Sequence, residues 1–332
     1  MLNQSHVQGV DMNSQKIKPR VISTFSGCGG SSCGYKQAGY DVKLAVEMDN
    51  HAVETYHLNF PDTPIYHGDI HNLSVDKVLE ITGIDVGELE LFDGSPPCQG
   101  FSIAGNRDFC DTKNQLYNEY IRLLRGLKPK TFVMENVAGM VQGNMKLIFK
   151  DILIQLKNSG YNVRAKLMNS MYYNCATSRK RIIFIGVRNA LNIRASHPKP
   201  QTKPITIKQA LNGYRSPRVQ YSNNEFVKSV IYKVKPGDSL SKYHPKGSYF
   251  NYRKLDENKP CPTITRSGYG QLIMPDNRIA EPEELAILQS FPKNFKWTGK
   301  PSQQVERIGN SVPPNLMKAI ALHIKENILN KI

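Results

Sequence analysis

The run Ser-Pro-Pro-Cys-Gln-Gly-Phe-Ser at residues 95–102 constrains the fold of this chain more than any other stretch. It follows a short apolar run at 89–93 that reads as a strand. Two consecutive prolines end the ladder and stiffen the backbone directly before Cys98. A thiol on a rigid loop after a strand lies where open α/β sheets bind ligands. Taken alone, Cys98 is equally well explained as a small buried hydrophobe.

An earlier segment predicts a loop that binds an anionic ligand. Residues 21–25 are β-branched and aromatic, typical of a buried strand, and they lead into a glycine- and serine-rich loop at 26–34 and a helical pattern. Strand, glycine loop and helix bring backbone N–H groups and a positive helix end to an anion. The glycine spacing is close to the dinucleotide-binding pattern without matching it, so this signal is weak by itself.

Two acidic residues follow the next candidate strands. Glu47 ends an apolar run at 42–46, twenty residues after Gly27, where a carboxylate can accept hydrogen bonds from ribose hydroxyls. Asp69 can accept a hydrogen bond from an exocyclic amine, although an aspartate there is also a common helix or turn cap. With the glycine loop, these residues predict an adenosine pocket.

A carboxylate in the middle of the chain is a candidate general acid. After a polar stretch at 105–115, interpreted as a mobile loop, a helix is predicted at 117–127 and an apolar strand at 131–134. That strand leads into Glu135, which could act as an acid or equally form an ion pair or cap. The helix predicted at 145–158 carries an apolar stripe typical of core packing.

Two arginines precede another buried strand. Arg179 and Arg181 stand directly before the apolar run at 182–187. In an extended chain their side chains point to one face, since alternate residues share a side. A charge run is usually solvated, but this position favours recognition of an anion or a carbonyl group.

Charge is divided unevenly along the chain. Residues 1–150 hold 14 Lys/Arg and 17 Asp/Glu, whereas residues 151–332 hold 30 and 11. Residues 152–224 include 13 basic residues and no acidic one, although a soluble surface usually mixes both signs. Contact with a polyanion explains the excess, because each phosphate contact releases counterions. The pattern predicts a catalytic first half and a second half that binds nucleic acid.

Composition narrows the class of protein. The 332 residues suffice for a large domain and a smaller one. No apolar run approaches the roughly 18 residues of a membrane span, and the polar start of the chain lacks the apolar core of a signal peptide. Six cysteines without paired spacing or a nearby histidine array favour neither zinc nor disulfides. We therefore expect a cytoplasmic protein with no membrane association and no metal site.

In combination, these motifs resemble the cytosine-5 DNA methyltransferase family in its prokaryotic or phage type. They stand in the order and spacing of that family, and the resemblance spans about residues 20–330, leaving the N-terminal arm and 190–250 uncovered. The matching segments are the Pro-Pro-Cys-Gln run at 96–99, Glu-Asn-Val at 135–137, Arg-x-Arg at 179–181, Cys-Pro-Thr-Ile-Thr at 261–265, the segment 278–292, and Ile-Gly-Asn-Ser-Val-Pro-Pro at 308–314.

The resemblance implies an α/β fold and a division into domains. The fold is that of an S-adenosylmethionine-dependent, Rossmann-like methyltransferase, with a mostly parallel sheet, helices on both faces and a smaller target-recognition domain. A disordered polar arm is expected at 1–17 and a small target-recognition domain at 189–304, with a variable region at about 190–250. The catalytic, cofactor-binding domain is expected to combine 18–188 with 305–332, including a returning helix at about 305–330.

The resemblance also implies a reaction and roles for single residues. Cys98 adds to carbon 6 of a flipped-out cytosine, and carbon 5 then accepts the methyl group of S-adenosylmethionine. Glu135, which must carry a proton, serves N3 of the base, while Arg179 and Arg181 hold its carbonyl oxygen and the thiol loop, which Asn136 helps to fix. The implied cofactor-binding residues are Phe25, Ser26, Gly27, Gly29, Gly30, Glu47, Met48, Asp69, Ile70, Pro96, Leu116, Asn310 and Val312.

The expected partner is double-stranded DNA, which the variable region would read. A cognate restriction endonuclease of the same system is a second candidate partner. The enzyme is expected to be a monomer. This region is short for the family, which favours a short recognition sequence. Each candidate base-reading residue could also contact phosphate or serve solubility. The candidates are Arg215, Arg218, Gln220, Asn223 and Lys242.

The chain departs from the family pattern at three places. Residues 174–177 read Asn-Cys-Ala-Thr where the family usually has Gly-Val-Pro-Gln, which puts the supporting role of that glutamine in doubt. Ser23 and Thr24 replace a stretch that commonly holds an acidic residue before Phe25, and Cys28 replaces a usual alanine. None of these changes removes a catalytic group.

Two rival functions remain open. A branch of the same family methylates tRNA cytosine, but it typically carries a different tripeptide after Pro-Pro-Cys-Gln, whereas residues 100–102 here have the DNA-type Gly-Phe-Ser. A non-catalytic DNA-binding regulator would tolerate loss of Cys98 or Glu135, and both are present.

Overall fold

The structure is a computed structural model that describes residues 18–97, 116–143 and 145–332. The described residues form an α/β fold around a seven-stranded, mostly parallel sheet, which confirms the predicted fold class. The polar arm expected at 1–17 and the loop expected at 105–115 lie outside the described residues.

The strands and helices follow the sequence pattern closely in the first half of the chain. The strands are β1 (Arg20–Thr24), β2 (Asp41–Glu47), β3 (Ile65–His67), β4 (Leu91–Gly94), β5 (Thr131–Val137), β6 (Tyr161–Asn169), β7 (Lys180–Arg188), β8 (Arg253–Lys254) and β9 (Leu272–Ile273). The helices are α1 (Gly30–Gln37), α2 (Asn50–Asn59), α3 (Val75–Thr82), α4 (Leu116–Leu127), α5 (Met145–Asn158), α6 (Ile207–Leu211), α7 (Glu225–Val230), α8 (Pro282–Leu288), α9 (Pro301–Asn310) and α10 (Pro314–Asn327). Of the helices in the described part of the chain, none combines the length and apolar character needed to cross a membrane.

The order of strands in the large sheet is β3-β2-β1-β4-β5-β7-β6. The pairs from β3 to β5 are parallel, and β7 runs antiparallel to both of its neighbours. From β1, the chain adds β2 and β3 on one side of the sheet and then returns to add β4 and β5 on the other side. The order of strands therefore reverses between the neighbours β1 and β4. In open α/β sheets, ligands bind at such a switch point, outside the carboxyl ends of the strands.

Alternating side chains give the sheet two apolar faces. Ile22, Phe92 and Phe132 belong to a core cluster that includes buried residues of α3, α4 and α5. The residues next to them in sequence, Val21, Leu91 and Val133, belong to a second cluster with residues of α1 and α10. Helices therefore cover both faces, and burial on both sides explains why these strands are almost continuously apolar.

The second half of the chain packs onto the first. Leu255 and Leu285 share a core cluster with Tyr56, which lies in α2, and with Phe60, which is the C-cap of α2. A smaller cluster contains Val227, Leu240 and Ile273 together with aromatic side chains that are partly buried. The separate target-recognition domain at 189–304 stays a prediction, because the larger of these clusters spans the proposed boundary.

The helix expected at about 305–330 is in fact two helices, α9 and α10. Proline lacks an N–H group and disfavours helical geometry at the residue before it, so Pro313 and Pro314 end the first helix. Pro314 then occupies the first position of α10, where its missing N–H costs nothing. The expected docking holds: the Tyr40 hydroxyl donates to the Ala321 carbonyl at 3.0 Å, and α10 packs against α1.

Candidate active site

The glycine loop joins β1 to α1 through residues with left-handed backbone conformation. Phe25 has φ of 54°, Gly27 of 55°, and Gly29, the N-cap of α1, of 96°. The N–H of Ser26 donates to the Val46 carbonyl at 3.1 Å and ties the loop to β2. These conformations make a sharp turn from strand to helix, which is the geometry expected from the sequence.

Close backbone contact brings the end of the chain to this loop. A Cβ atom on Gly30 would lie 2.6 Å from the carbonyl oxygen of Val312, so only glycine fits there. Val312 is buried, and Asn310 is the exposed last residue of α9. The structure therefore brings the last motif against the glycine loop.

Glu47 ends β2 with its carboxylate bonded to backbone N–H groups. Its Oε2 accepts from Gly27 at 2.7 Å, and its Oε1 accepts from Met48 at 2.8 Å and Asp49 at 2.9 Å. These bonds fix the carboxylate at the edge of the glycine loop, and Oε2 keeps a lone pair for another donor. The Met48 side chain, 64% exposed, offers an apolar surface beside it.

Asp69 caps the short 3₁₀ helix Ile70–Asn72, which is one of the two roles that the sequence allowed for it. Its carboxylate accepts from the His71 N–H at 3.0 Å and lies 2.7 Å from the His71 ring Nδ1. The backbone hydrogen bond, and then the ring, lower the pKa of Asp69. The side chain is 44% exposed and so remains accessible. Ile70 is buried in the cluster on which Phe25 and Leu116 lie half-buried.

The thiol loop leaves the end of β4, and Cys98 itself lies outside the described residues. The beginning of the loop is anchored, since Asn136 Nδ2 donates to the Pro96 carbonyl at 3.0 Å. Asn136 is buried at the end of the neighbouring strand β5. It therefore holds the backbone at Pro96, which precedes Cys98 by two residues in the sequence, and its part in catalysis stays a prediction.

Glu135 and Arg181 meet beside this anchor. The Arg181 Nε lies 2.7 Å from Oε1 of Glu135, and only 7% of Glu135 is exposed. The ion pair is short but poorly aligned, because Oε1 accepts no hydrogen bond of good geometry from any described residue. A buried carboxyl oxygen in this condition is suited to meet a polar group of a substrate.

Arg179 has different partners from Arg181. Its Nη1 donates to the carbonyls of Gly309 at 2.7 Å and Ile264 at 3.2 Å, and its Nη2 donates to the Asn310 carbonyl at 3.3 Å. Burial lowers the pKa of Arg179 well below its usual value. Arg179 thus links the two C-terminal motifs, and of the two arginines only Arg181 forms an ion pair with Glu135 among the described residues.

Asp93 is a candidate that the sequence analysis missed. Its carboxyl is 1% exposed and accepts from Ser23 Oγ at 2.8 Å and from the Tyr35 hydroxyl at 3.0 Å. Burial raises the pKa of Asp93 to about 7. The hydrogen bonds from the two hydroxyls lower this pKa, and the charge of Glu135 raises it further. The available signal was a single charged residue in an otherwise apolar, fully buried strand.

The candidate base-reading residues lie in ion pairs or are exposed. Arg215 is 3.1 Å from Asp276, Arg218 is 3.9 Å from the buried Glu281, and Lys242 pairs with Asp238. Gln220 accepts a hydrogen bond from the Tyr269 hydroxyl at 2.8 Å, and Asn223 is exposed. Their roles in reading DNA stay predictions.

A cleft of about 470 Å³ opens beside the Cys-Pro-Thr-Ile-Thr run. Its lining includes Ser178, Arg253, Thr263 and Gln271 together with Phe250, which is 68% exposed. Hydroxyl, amide and guanidinium groups next to an exposed ring are the side chains that contact phosphates and bases.

The described cysteines carry no sign of reactivity. Cys28, Cys33, Cys175 and Cys261 are buried and unpaired. Burial raises the pKa of Cys28 and Cys33 to about 11 and that of Cys175 and Cys261 to about 12. Over the described ranges, no cluster of His, Cys, Asp and Glu could hold a metal ion.

Comparison with known proteins identifies consistent relatives. A family model described as C-5 cytosine-specific DNA methylase matches residues 19–326. The Type II methyltransferase M1.HphI of Haemophilus parahaemolyticus is 33% identical over 320 residues, covering 90% of this chain and 85% of the relative. The Type II methyltransferase M.DdeI of Desulfomicrobium norvegicum is 30% identical over 377 residues, covering 93% and 89%.

Solved structures of methyltransferases are also similar to this chain. A crystal structure described as a DNA modification methyltransferase encoded within an E. coli prophage is similar with a TM-score of 0.75 and 27% identity, covering 94% of this chain and 100% of that one. The structure of Spodoptera frugiperda DNMT2 is similar with a TM-score of 0.68 and 17% identity, covering 91% and 98%. At that identity, the second likeness concerns the fold alone.

Proposed function

Because this chain belongs to the C-5 cytosine-specific DNA methylase family, we propose that it methylates carbon 5 of a flipped-out cytosine in a short duplex DNA sequence, through transient covalent addition of Cys98 to carbon 6. The chain is a DNA cytosine-5 methyltransferase, and membership of the family implies S-adenosylmethionine as the methyl donor and DNA as the substrate. The residue roles, the base flipping and the further partners below are proposals.

The observation that carries the proposal is the junction at the ends of β4 and β5. Asn136 holds the Pro96 carbonyl at 3.0 Å, and the adjacent Glu135 presents a buried Oε1 without a well-aligned donor. Cys98 follows Pro96 by two residues. We propose that the thiol of Cys98 acts together with the acid and the guanidinium group beside this anchor, because addition to cytosine requires these three groups.

Each group has one task in the reaction. The thiolate of Cys98 donates an electron pair to carbon 6, and the electrons of the C5–C6 double bond move towards N3, where Glu135 donates a proton or hydrogen bond. Arg181 holds the carbonyl oxygen of the base, a role that suits it better than Arg179, whose Nη1 and Nη2 already donate to backbone carbonyls. After methyl transfer, loss of the proton from carbon 5 lets Cys98 leave.

The residues at the switch point fit the proposed donor. Met48, Phe25 and Leu116 are partly exposed apolar side chains suited to an adenine ring, and Glu47 Oε2 has a lone pair for a ribose hydroxyl. Asp69 can accept from the exocyclic amine. The remaining proposed contacts come from backbone groups and side chains at Ser26, Gly27, Gly29, Gly30, Ile70, Pro96, Asn310 and Val312. When bound, S-adenosylmethionine supplies a methyl group activated by the sulfonium.

The basic second half is proposed to bind the DNA backbone. Neither face of a stacked cytosine is accessible in a duplex, so the target must be flipped out at a cost of a few kcal/mol. Phosphate contacts from the excess of Lys and Arg beyond residue 150 offset that cost. We propose that 189–304 acts as the target-recognition domain and that 18–188 with 305–332 acts as the catalytic domain, with 1–17 as a polar arm.

The biological setting follows from the relatives. Both relatives described above are named Type II methyltransferases, so a role in restriction-modification beside a cognate endonuclease is proposed for this chain. We further propose a monomer that works in the cytoplasm, where its DNA substrate is found and where free cysteines persist.

The experiment that tests the proposal is covalent trapping. Duplex DNA is amplified with 5-fluorodeoxycytidine triphosphate and incubated with the protein and S-adenosylmethionine. Fluorine cannot leave carbon 5 as a proton does, so an adduct that survives denaturation is expected. Cys98→Ala should form none, whereas Cys110→Ala, the matched control from the same stretch, should form it normally. Absence of an adduct on every substrate would overturn the proposal.

Bisulfite sequencing separates the main alternative from the proposal. DNA from cells that express the protein should contain 5-methylcytosine in one short sequence context. Methylation confined to tRNA would favour the tRNA-modifying branch of the family, and binding without any methylation would favour a regulator.

A further inference from the structure

Only part of the basic stretch at 152–224 is free to meet a polyanion. Arg179 and Arg188 donate to backbone carbonyls. Others lie beside a carboxylate, namely Arg181, Lys208, Arg215 and Arg218. The rest are exposed and form no ion pair among the described residues: Lys157, Arg164, Lys166, Lys180, Arg194, Lys199 and Lys203. A soluble surface usually mixes both signs of charge, so these unpaired cations need a cause.

The edge strand β6 carries two of them. Arg164 and Lys166 are two positions apart and therefore share one face of the sheet, the face opposite to the one that α5 covers. Lys180 pairs with the last residue of β6 and directly precedes Arg181, the ion-pair partner of Glu135. Since a strand rises about 3.3 Å per residue, these cations extend from the active-site end of the sheet over roughly 16 Å.

The segment 194–203 adds a second row of cations beside this strand. The Ala195 N–H donates to Asn162 Oδ1 at 2.9 Å near the start of β6. The Gln201 N–H donates to the Tyr172 carbonyl at 2.9 Å, beyond the end of β6. The segment therefore runs along β6 in the same direction. Its exposed cations follow it: Arg194, Lys199 and Lys203.

The positive charge of β6 reaches this segment. The His197 ring Nε2 lies 2.9 Å from the carbonyl oxygen of Ile183, which is the register partner of Lys166. Burial lowers the pKa of His197 to about 4, and the charges of Lys166 and Arg164 lower it as well, against that hydrogen bond. The two rows thus form one continuous positive surface.

We propose that these two rows bind the phosphates of the duplex that flanks the target cytosine on one side. We call them the basic edge surface, made of Arg164, Lys166, Lys180, Arg194, Lys199 and Lys203. This inference rests on the proposed function, because it concerns the path of the DNA substrate outside the active site. A duplex whose target lies at Glu135 can continue past Lys180 along β6, and roughly 16 Å corresponds to about five base pairs.

A simpler role for cations on an edge strand is to prevent pairing with another chain. That role accounts for Arg164 and Lys166. It does not account for the row at 194–203, which belongs to no strand of the sheet. Phosphate binding accounts for both rows.

The test measures DNA binding by fluorescence anisotropy as a function of salt. The probes are duplexes carrying the sequence context that bisulfite sequencing identifies, with flanks of about 15 or about 2 base pairs, longer and shorter than the surface. Arg164→Gln/Lys166→Gln should lower the salt slope on the long duplex by about 2, because each lost phosphate contact removes about 0.9. On the short duplex, the slope should equal that of the parent.

Two further variants make the result specific. Lys199→Gln/Lys203→Gln, in the second row, should lower the slope on the long duplex in the same way, even if the β6 variant fails to fold. Lys150→Gln/Lys157→Gln is the matched control, because it removes the same charge from exposed positions of α5 on the other face of the sheet. Its slope should be unchanged. Equal loss in the control, or an unchanged slope in both test variants, would overturn the inference.

The chemical step separates this inference from the proposed function. Single-turnover methyl transfer at saturating DNA should be as fast in the test variants as in the parent, because none of the substituted residues contacts Glu135. A fluorocytosine adduct in the parent together with unchanged salt slopes would overturn only the basic edge surface. Absence of an adduct on every substrate would overturn the proposed function and this inference with it.

Discussion

The Nε atom of Arg181 lies 2.7 Å from Oε1 of Glu135, across the antiparallel pair β5 and β7. The register of these strands pairs Glu135 with Ile183 and Val137 with Arg181, so the two charged side chains are diagonal neighbours on one face. Because this pairing is set by a nearly fully buried sheet, the guanidinium and the carboxyl are held in place before any substrate binds.

Glu135→Gln should lower the single-turnover rate of methyl transfer by about 10²–10⁴-fold, the usual contribution of a positioned acid. The amide is nearly the same size as the carboxyl, so the free energy of unfolding should change little. Tritium transfer to DNA and urea unfolding measure the two quantities. A rate equal to that of the parent would contradict the role of Glu135 as the acid.

The two arginines should behave differently when replaced. Arg179→Met removes the donors of three backbone carbonyls, two of them in buried hydrogen bonds, and a buried carbonyl costs about 1–3 kcal/mol when left unpaired, so the variant should lower the free energy of unfolding markedly. Arg181→Met leaves one carboxylate without its ion-pair partner, so it should lower stability by less than Arg179→Met and should mainly slow the chemistry. Thermal unfolding and single-turnover rates separate the two effects. Equal loss of stability in both variants would argue against this division of roles.

Glu47→Gln should weaken cofactor binding while leaving the chemical step nearly unchanged. The amide nitrogen cannot accept the hydrogen bond that Gly27 donates to Oε2 at 2.7 Å, and a hydrogen bond to the ribose is disturbed as well. The KM for S-adenosylmethionine should rise about 10–100-fold, in keeping with a charged hydrogen bond. Glu54→Gln, on the exposed side of α2, is the matched control and should bind normally. An unchanged KM for Glu47→Gln would exclude Glu47 from the site.

Asp93 should make stability depend on pH. Its pKa in the folded protein is raised to about 7, so the stability that the neutral form contributes is fully present below the unfolded pKa near 4 and is lost as pH rises through 7. Three pKa units correspond to about 4 kcal/mol. Relative to the parent, Asp93→Asn should therefore be more stable at pH 8 than at pH 4.5 in urea unfolding. A difference that stays constant across this range would contradict the shifted pKa.

By itself, the sequence determined the local elements and the order of the motifs. The strand, glycine loop and helix around residues 20–37, the carboxylate at Glu47 and the helix at 145–158 follow from neighbouring residues, and all are present in the described structure. The class of the fold was implied by the resemblance of these motifs to the cytosine-5 DNA methyltransferase family, and the seven-stranded sheet confirms it.

Only the tertiary structure decided which groups meet. Arg179 and Arg181 are equivalent in an extended chain. The register of β5 and β7 places Arg181 beside Glu135, whereas Arg179 donates to backbone carbonyls up to 131 residues away. Likewise, Ser23 and Asp93 are 70 residues apart and become partners only because β1 and β4 are neighbours in the sheet. Local periodicity depends on residues within a few positions, whereas these contacts depend on how strands order and align, which no short stretch of sequence encodes.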